Sequence, residues 1–240
     1  MGMGLSKINT RFDFRKDTPY GKDPDSWSPT LRRYHKALWS RELPSGKVLT
    51  LRDDVPGRYL SHESSMGSFS FSSDSVIPTY LRWKRMQPIV SQAPFWKTQG
   101  IDRRCYTIGG MMIWPSTNVP GVGTINGMRG LNGRISDRFD LTLECVRRYY
   151  SGVSSPLSLV LDANAAFFEL FENFDGFVGF FLLEDLINDR DNTVRFMIQF
   201  DDFEGTGRPG SLTEYMEYMD NADAFVKARN RRISALSLQA

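Results

Sequence analysis

Apolar residues recur at the spacing of an α-helix in several parts of the chain. Leu31, Tyr34 and Leu38 form one apolar stripe after Ser28 and Pro29, residue types that favour the N-cap and the first helical position. This pattern predicts a helix that ends before the turn-forming residues 44–46. Further helices are predicted over 73–87, 136–150, 155–171, 174–187 and, after a capping box at 211–214, over 211–233.

Other segments alternate between apolar and polar residues, as strands with one buried face do. The alternation predicts a sheet whose strands lie at 47–51, 68–71, 105–114 and 194–200. Gly109 and Gly110 indicate a bulge in the third strand or the close approach of another backbone. The span 115–133 carries five glycines and two prolines and is predicted to be a long loop or hairpin with a short strand at 124–126.

Strands in both halves of the chain, without a regular βαβ succession, indicate the α+β class. We predict one domain over 1–240, in which a mixed or antiparallel sheet packs against helices. It comprises a polar N-terminal segment (1–27), a basic part that contains strands (28–135) and an acidic part that is rich in helices (136–240). With 240 residues, of which 40% are hydrophobic, the chain is long enough to bury a core without disulfides or metals.

The sequence also bears on location. The longest apolar run, 177–183, is too short to cross a bilayer, and residues 1–13 contain no apolar segment typical of a secretory signal. Cys105 and Cys145 have no neighbouring histidine and do not show the spacing of a zinc site. We therefore expect a cytoplasmic protein with reduced thiols and no membrane partner, and we identify neither a metal site nor a cofactor.

Charge is distributed unevenly along the chain, although the formal net charge is only +2. Residues 1–150 carry 23 Lys and Arg against 13 Asp and Glu, whereas residues 151–240 carry 7 against 15. The positive half could bind an anionic partner such as nucleic acid. Alternatively, the two halves attract each other within one domain, or a homo-oligomer packs head to tail.

Several stretches of the sequence resemble a family of uncharacterised bacterial proteins. They are FDFRKDTPYGKDPDSWSPTLRRYHKALWS at 12–40, TIGGMMIWPS at 107–116, TINGMRG at 124–130, SDRFDLTLECVRRYY at 136–150, and FFLLEDLI with FMIQFDDF within 180–203. The resemblance covers nearly the whole chain and implies a bacterial, cytoplasmic protein that forms its own domain. No activity is assigned to the family, so the resemblance transfers no catalytic residue.

The predicted helix 136–150, capped by Ser136, carries candidate catalytic residues. Asp137, Asp140 and Glu144 fall opposite its apolar stripe, and carboxylates on one helix face can bind a divalent metal or act as general acid and base. The alternative is a solvated face on which Glu144 pairs with Arg148 at i+4.

The glycine-rich run before this helix carries candidate binding residues. Asn126, Arg129 and Arg134 precede the helix, and Arg138 lies at its start. Backbone N–H groups at a helix N-terminus and arginine side chains can bind phosphate. However, the run matches neither the P-loop nor the dinucleotide fingerprint. The alternative is a hairpin with turn glycines.

Only two histidines are present. His35 is predicted to be a partly exposed surface or interface residue on the first helix. His62, Tyr80 and Glu144 occur in the same order as the His, Tyr and Glu set of ADP-ribosyltransferases, but the surrounding motifs differ. His62 is therefore a further catalytic candidate. The block Tyr80–Met86 interleaves aromatic and basic residues and could bind bases and phosphates, or pack as an amphipathic segment.

Three classes of function remain open from the sequence. The first is a binding module that recognises nucleic acid or a protein partner through the positive half. The second is an enzyme that acts on a nucleotide or phosphorylated substrate through residues 126–144. The third is a structural or assembly role. Clustering of the candidate residues in one pocket would favour the enzyme, and basic residues on an open surface would favour the module.

Overall fold

The computed structural model describes residues 8–236 and has the α+β architecture that the sequence predicts, with a helix-rich C-terminal half. Its strands are β1 (Leu60–Ser64), β2 (Gly67–Ser75) and β3 (Met111–Pro115). Its α-helices are α1 (Pro24–Trp27), α2 (Pro29–Trp39), α3 (Gln87–Val90), α4 (Phe95–Cys105), α5 (Ile125–Leu131), α6 (Phe139–Tyr150), α7 (Ser158–Asp162), α8 (Ala165–Phe168), α9 (Phe174–Phe181) and α10 (Leu212–Leu236).

The sheet is antiparallel, in the order β1-β2-β3. β1 pairs with the first half of β2, with Leu60 opposite Phe71, and β3 pairs with the second half, with Met112 opposite Asp74. Because side chains alternate along a strand, Ser72 and Asp74 lie on one face of β2, and Phe71 and Ser73 lie on the other.

Helices cover both faces of the sheet. On one face, Arg129 of α5 bonds to Asp74. On the other face, His35 of α2 lies 3.0 Å from the hydroxyl of Ser73, and Phe167 of α8 packs against Phe71. Helices therefore cover β3 and the adjoining part of β2, whereas Glu63, Ser64 and Ser68 near the turn between β1 and β2 are exposed.

The core next to α2 is dominated by aromatic side chains from α8, α9 and the 3₁₀ turn between them. Ring centroids in this cluster lie about 5–6 Å apart in tilted and edge-to-face arrangements, which aromatic pairs prefer. Its members are Trp39, Phe167, Phe168, Phe171, Phe177, Phe180 and Phe181. Burial of these large side chains is the main stabilising contribution in this part of the molecule.

α10 packs against the turn before β3. Ser211 accepts a hydrogen bond from the backbone N–H of Glu214 and so caps this helix as predicted, whereas the Glu214 carboxylate accepts from the N–H of Gly210 and not from that of Ser211. Gly109 permits close contact, because a Cβ there would lie 2.8 Å from the carbonyl oxygen of Val226. The glycine pair therefore marks the close approach of another backbone, as expected, but it lies in a 3₁₀ turn and not within a strand.

Two of the four predicted strands are wrong. Residues 47–51 form only an isolated bridge, and Leu49 bonds to the carbonyl of Arg41 at the end of α2. Residues 194–200 likewise form only a bridge, because their backbone bonds to side chains. Met197 donates to Asp140 and Ile198 accepts from Arg138, so alternation here reflects burial and not a ladder.

Other predicted boundaries also change. The strand predicted at 105–114 begins only at Met111, because α4 continues to Cys105. The helix predicted over 73–87 is absent, since β2 extends to Ser75 and Pro78 follows.

The strand predicted at 124–126 lies at the start of α5, which Thr124 caps. The helix predicted over 174–187 ends at Phe181, where Leu182 adopts a left-handed conformation. The one predicted over 155–171 consists of shorter turns.

Within residues 8–236, no helix is both long enough and apolar enough to cross a membrane.

Candidate functional site

A buried arginine joins the loop–helix region to the sheet. The Arg129 side chain is fully buried; its Nε donates to the hydroxyl of Thr142 at 3.0 Å, and its Nη1 donates to the carboxylate of Asp74 at 2.6 Å. Its Nη2 donates to the backbone carbonyl of Asp137 at 3.1 Å and lies 3.3 Å from the carboxylate of that residue. Arg129 thus connects α5, α6, β2 and the turn before α6.

The carboxyl groups around Arg129 hold protons more tightly than usual. Burial raises the pKa of Asp74 to about 7, against the attraction of Arg129 and with a further contribution from Asp137. Burial also raises the pKa of Asp137, which Arg129 again opposes. Asp25 lies on α1, which packs along β2, and burial together with the Asp74 charge raises the pKa of Asp25 well above its usual range. Carboxyl groups with raised pKa values are candidates for proton transfer at neutral pH.

The backbone beside this cluster is strained. Tyr80, Ser136 and Asp137 have φ angles of 59°, 49° and 65°, a region that residues other than glycine rarely adopt. The Tyr80 hydroxyl donates to the carbonyl of Ser136 at 2.9 Å and holds the two segments together. Asp137 and Tyr80 line a cavity of about 360 Å³, together with Arg15, Ser75, Arg82 and Tyr106.

The predicted cap of the helix over 136–150 is wrong. Ser136 lies in the strained turn and its hydroxyl donates to Gly133, while α6 begins only at Phe139 with Arg138 at the N-cap. Asp137 is therefore outside the helix. For this reason it cannot share a helix face with Asp140 and Glu144.

Arg138 and Asp140 form a separate buried ion pair. Arg138 donates to both carboxylate oxygens of Asp140, at 3.1 and 2.5 Å, and also to the carbonyls of Gly207 and Ile198. Asp140 additionally accepts from the backbone N–H of Met197 at 2.8 Å. These contacts tie the irregular segment 197–207 to the start of α6, and they occupy both side chains.

Glu144 forms ion pairs further along α6. It accepts from Nε of Arg147 and from Nε of Arg148, both at 2.8 Å, and Arg148 also pairs with Asp202. The i+4 pair of the alternative interpretation is therefore observed, but the solvated face is wrong, because Asp140 and Glu144 are both buried. Within residues 8–236, no group of three or more His, Cys, Asp or Glu side chains is arranged to bind a metal ion.

The remaining loop candidates lie apart from one another. Asn126 is on α5, where its amide donates to the hydroxyl of Ser72 at 2.9 Å, next to the Arg129 cluster. Arg134 is exposed after α5, and its backbone N–H bonds to the side chain of Asn132. The structure thus brings together Asn126, Arg129 and Asp137, but it separates Arg134, Arg138, Asp140 and Glu144 from them.

Both histidines are buried in hydrogen-bonded positions. His62 donates from Nδ1 to the carbonyl of Thr50 at 2.8 Å, so its Nε2 accepts from the hydroxyl of Ser64. The expected surface position of His35 is wrong. His35 is fully buried and accepts from Trp39, and burial, with the nearby charge of Arg229, lowers the pKa of His35 to about 3.

Among the described residues, no hydrogen bond or ion pair joins His62, Tyr80 and Glu144, the set that follows the order of ADP-ribosyltransferases. Cys105 and Cys145 are both free and buried. Burial raises the pKa of Cys145 to about 12, which makes its thiol a poor nucleophile at neutral pH.

Basic side chains from distant parts of the chain line an open cleft of about 950 Å³. The N-terminal segment, the end of α4 and the end of α10 contribute six cations and a single carboxylate, Asp13, to its lining. Four of the cations form no ion pair with any residue in 8–236, and the other two share Asp223. The four are Arg11, Lys16, Arg103 and Arg231, and the two are Arg104 and Lys227.

This cleft contains none of the residues that the sequence singled out. Arg11 and Lys16 lie in the polar N-terminal segment, whereas Lys227 and Arg231 belong to the acidic half. The sequence indicates only one local part of the cleft. Lys227 and Arg231 are four residues apart and therefore lie on the same face of α10. The fold was needed to show that this face meets the end of α4.

Comparison with known proteins places the chain in a family. A family of unknown function (DUF6994) matches residues 8–233, which is most of the chain, so the chain belongs to this family. The resemblance noted in the sequence to a family without an assigned activity is thereby confirmed. No curated protein and no solved structure matches the chain.

The protonation of Asp74 can be measured directly. The side-chain carboxyl carbon of Asp74 is expected to titrate near pH 7, because burial raises its pKa, and Asp74→Asn identifies the resonance by removing it. A carboxyl group with a raised pKa in the folded state favours folding at low pH, and this contribution is lost as the pH rises through the folded pKa. Wild-type stability relative to Asp74→Asn should therefore fall from about pH 4 to about pH 7. A resonance that titrates near pH 4 would contradict the burial argument.

Proposed function

We propose that this protein is a cytoplasmic module, formed by one domain, that binds a nucleic acid through the cleft lined by Arg11, Lys16, Arg103, Arg104, Lys227 and Arg231. One observation carries the proposal: six cations and a single carboxylate line an open concave surface. Unpaired cations repel one another, so collecting four of them in one cleft destabilises the free protein. A bound polyanion relieves this repulsion.

The character of the cations supports binding to phosphates. Five of the six lining cations lie on regular elements or next to one, which holds them at fixed positions around the cleft. Arginine presents a planar set of donors that matches phosphate oxygens. Contacts of this kind bind the backbone of any nucleic acid, so we expect affinity without strong dependence on sequence.

The test is a binding titration with a fluorescent oligonucleotide at several salt concentrations. The logarithm of the affinity should fall linearly with the logarithm of the salt concentration, because neutralising each phosphate releases counterions. The slope of log affinity against log salt concentration is negative. The double variant Arg103→Ala/Arg231→Ala should make it less steep by about 0.7–0.9 for each phosphate that the variant no longer neutralises.

The matched control is Lys47→Ala/Arg190→Ala, which removes two exposed cations outside the cleft. If this control weakens binding as much as the cleft variant, the binding is diffuse and the cleft is not the site. If wild-type protein binds no oligonucleotide at low salt, the proposal fails.

An enzyme that acts on a phosphorylated substrate is a second candidate. It is favoured by the cavity lined by Asp137, whose pKa is raised, and by two arginines, Arg15 and Arg82, on the same walls. In this function Asp137 would transfer a proton while the arginines bind the phosphate. The candidate predicts that a nucleoside monophosphate shifts the carboxyl resonance of Asp137 in the wild type but not in Arg82→Ala.

A further inference from the structure

We infer that the nucleic acid bound by the cleft is single-stranded, and that exposed aromatic side chains beside the cleft stack on its bases. The inference rests on the proposed function and adds the class of partner to it. It starts from the distribution of exposed aromatic residues, which is independent of the cations.

The large aromatic side chains that are exposed in residues 8–236 occur in two places. Trp96 and Phe95, with 75% and 73% of their surface exposed, form the first turn of α4. Tyr20 lies before α1, and Trp27, which is 52% exposed, is the last residue of α1. Other exposed large hydrophobic residues are aliphatic and lie on different elements, at Val48, Leu131, Val153 and Leu159.

Helix α4 connects one aromatic pair to the cleft. Trp96 and Arg103 are seven residues apart, so they lie on the same helix face, about 10 Å from each other along the axis. That face is opposite the buried residues Thr98, Ile101 and Cys105. An exposed indole is thus aligned with an unpaired cation of the cleft on the solvent side of one rigid helix.

The second aromatic group borders a cavity next to the cleft. The 3₁₀ turn Phe14–Lys16 separates the two, since Lys16 lines the cleft and Arg15 lines the second cavity, of about 520 Å³. This cavity is also lined by Tyr20, Lys22, Arg82 and Tyr106.

Two cations that line this second cavity, Arg15 and Lys22, lie against aromatic rings. The guanidinium of Arg15 lies 4.6 Å from the ring centre of Tyr106, and Nζ of Lys22 lies 4.7 Å from that of Trp27. Cationic and aromatic groups therefore continue beyond the cleft, around the turn Phe14–Lys16.

This combination distinguishes a single strand from a duplex. Cations bind the phosphates of both, but an exposed aromatic ring can stack only on a base that is not already stacked inside a duplex. Proteins that bind single strands without sequence preference combine a positive groove with such aromatic side chains. The combination leaves DNA and RNA open, because both expose phosphates and unpaired bases.

The experiment uses the full chain with three labelled probes of equal length: oligothymidylate, oligouridylate and a mixed-sequence duplex. We expect either single strand to bind more tightly than the duplex and to quench tryptophan fluorescence. Trp96→Ala should weaken single-strand binding about tenfold, because base stacking on one aromatic side chain is removed. It should leave duplex binding unchanged. Leu159→Ala, which removes an exposed apolar side chain outside both cavities, is the matched control.

The outcomes separate the inference from the proposed function. Equal affinity for the duplex and the single strands, or unchanged single-strand binding in both Trp96→Ala and Trp27→Ala, overturns the inference and leaves the cationic cleft standing. If the wild type binds none of the three probes, both the inference and the proposed function are overturned. Thermal melting of each variant shows that it is folded, and an unfolded Trp96→Ala is replaced by Trp96→Gln.

Discussion

Replacement of Arg129 by methionine is expected to lower the free energy of unfolding by about 3–5 kcal/mol, the loss that follows removal of one partner of a buried ion pair. Methionine fills much of the volume but donates no hydrogen bond. Asp74 and Asp137 would then face each other without the cation between them, and the hydroxyl of Thr142 would lose its donor. Urea unfolding at constant m-value measures the change.

The controls for this experiment come from the same region. Arg134→Met changes an exposed arginine five residues further on and should alter stability by less than about 0.5 kcal/mol. Adding Asp74→Asn to Arg129→Met should recover part of the loss at alkaline pH, where the Asp74 carboxyl group would otherwise be charged without a partner or would have to bind a proton. The loss should also be smaller at acidic pH, where protonation neutralises both carboxyl groups.

The same variant tests whether the cluster is a functional site. If Arg129→Met keeps the wild-type midpoint but abolishes binding to a nucleic acid or phosphorylated ligand, Arg129 contacts the ligand and is not a purely structural residue. Glu144→Gln provides a comparison, since Glu144 accepts from two arginines on the surface side of α6. A smaller loss of stability is expected there, because one of those arginines is 31% exposed and the other 15% exposed.

Helices could be predicted from the sequence where their signals are local. Ser28 accepts from Leu31, and Ser211 accepts from Glu214, so the caps of α2 and α10 are each contained in four residues. The apolar stripe that follows each cap forms a helix once it packs against a hydrophobic core on one side. Turns were harder to predict. Ser136 is of a residue type that favours the N-cap, yet it adopts a left-handed conformation, and the hydrogen bond from the Tyr80 hydroxyl to its carbonyl stabilises that conformation.

The sheet and the sites depend on contacts between distant residues. Asp74 lies within a polar run, and its cationic partner, Arg129, is 55 residues away in the sequence. The predicted strand at 194–200 is irregular because its backbone bonds to Asp140 and Arg138, which lie about 60 residues earlier in the sequence. The cations of the cleft come from the N-terminal segment, from α4 in the middle of the chain and from α10, so charge counted over sequence halves could not locate them.

The other large effect is expected at the centre of the aromatic cluster. Phe181→Ala should lower the free energy of unfolding by about 3–5 kcal/mol, because it removes a fully buried ring and leaves a cavity. The Phe181 ring lies 5.1 Å from that of Trp39 and 5.0 Å from those of Phe177 and Phe180, so the substitution also removes favourable packing between rings. The measurement is again urea unfolding.

Leu182→Ala is the matched comparison, because the two residues are adjacent but differ in environment. Both belong to the longest apolar run, 177–183, which predicts burial of both side chains, whereas the structure places Leu182 only partly within the core, in a left-handed turn after α9. Its truncation should therefore cost less than that of Phe181. Equal losses would show that α9 continues past Phe181 into the core, and two wild-type midpoints would show that this aromatic cluster does not hold α2, α8 and α9 together.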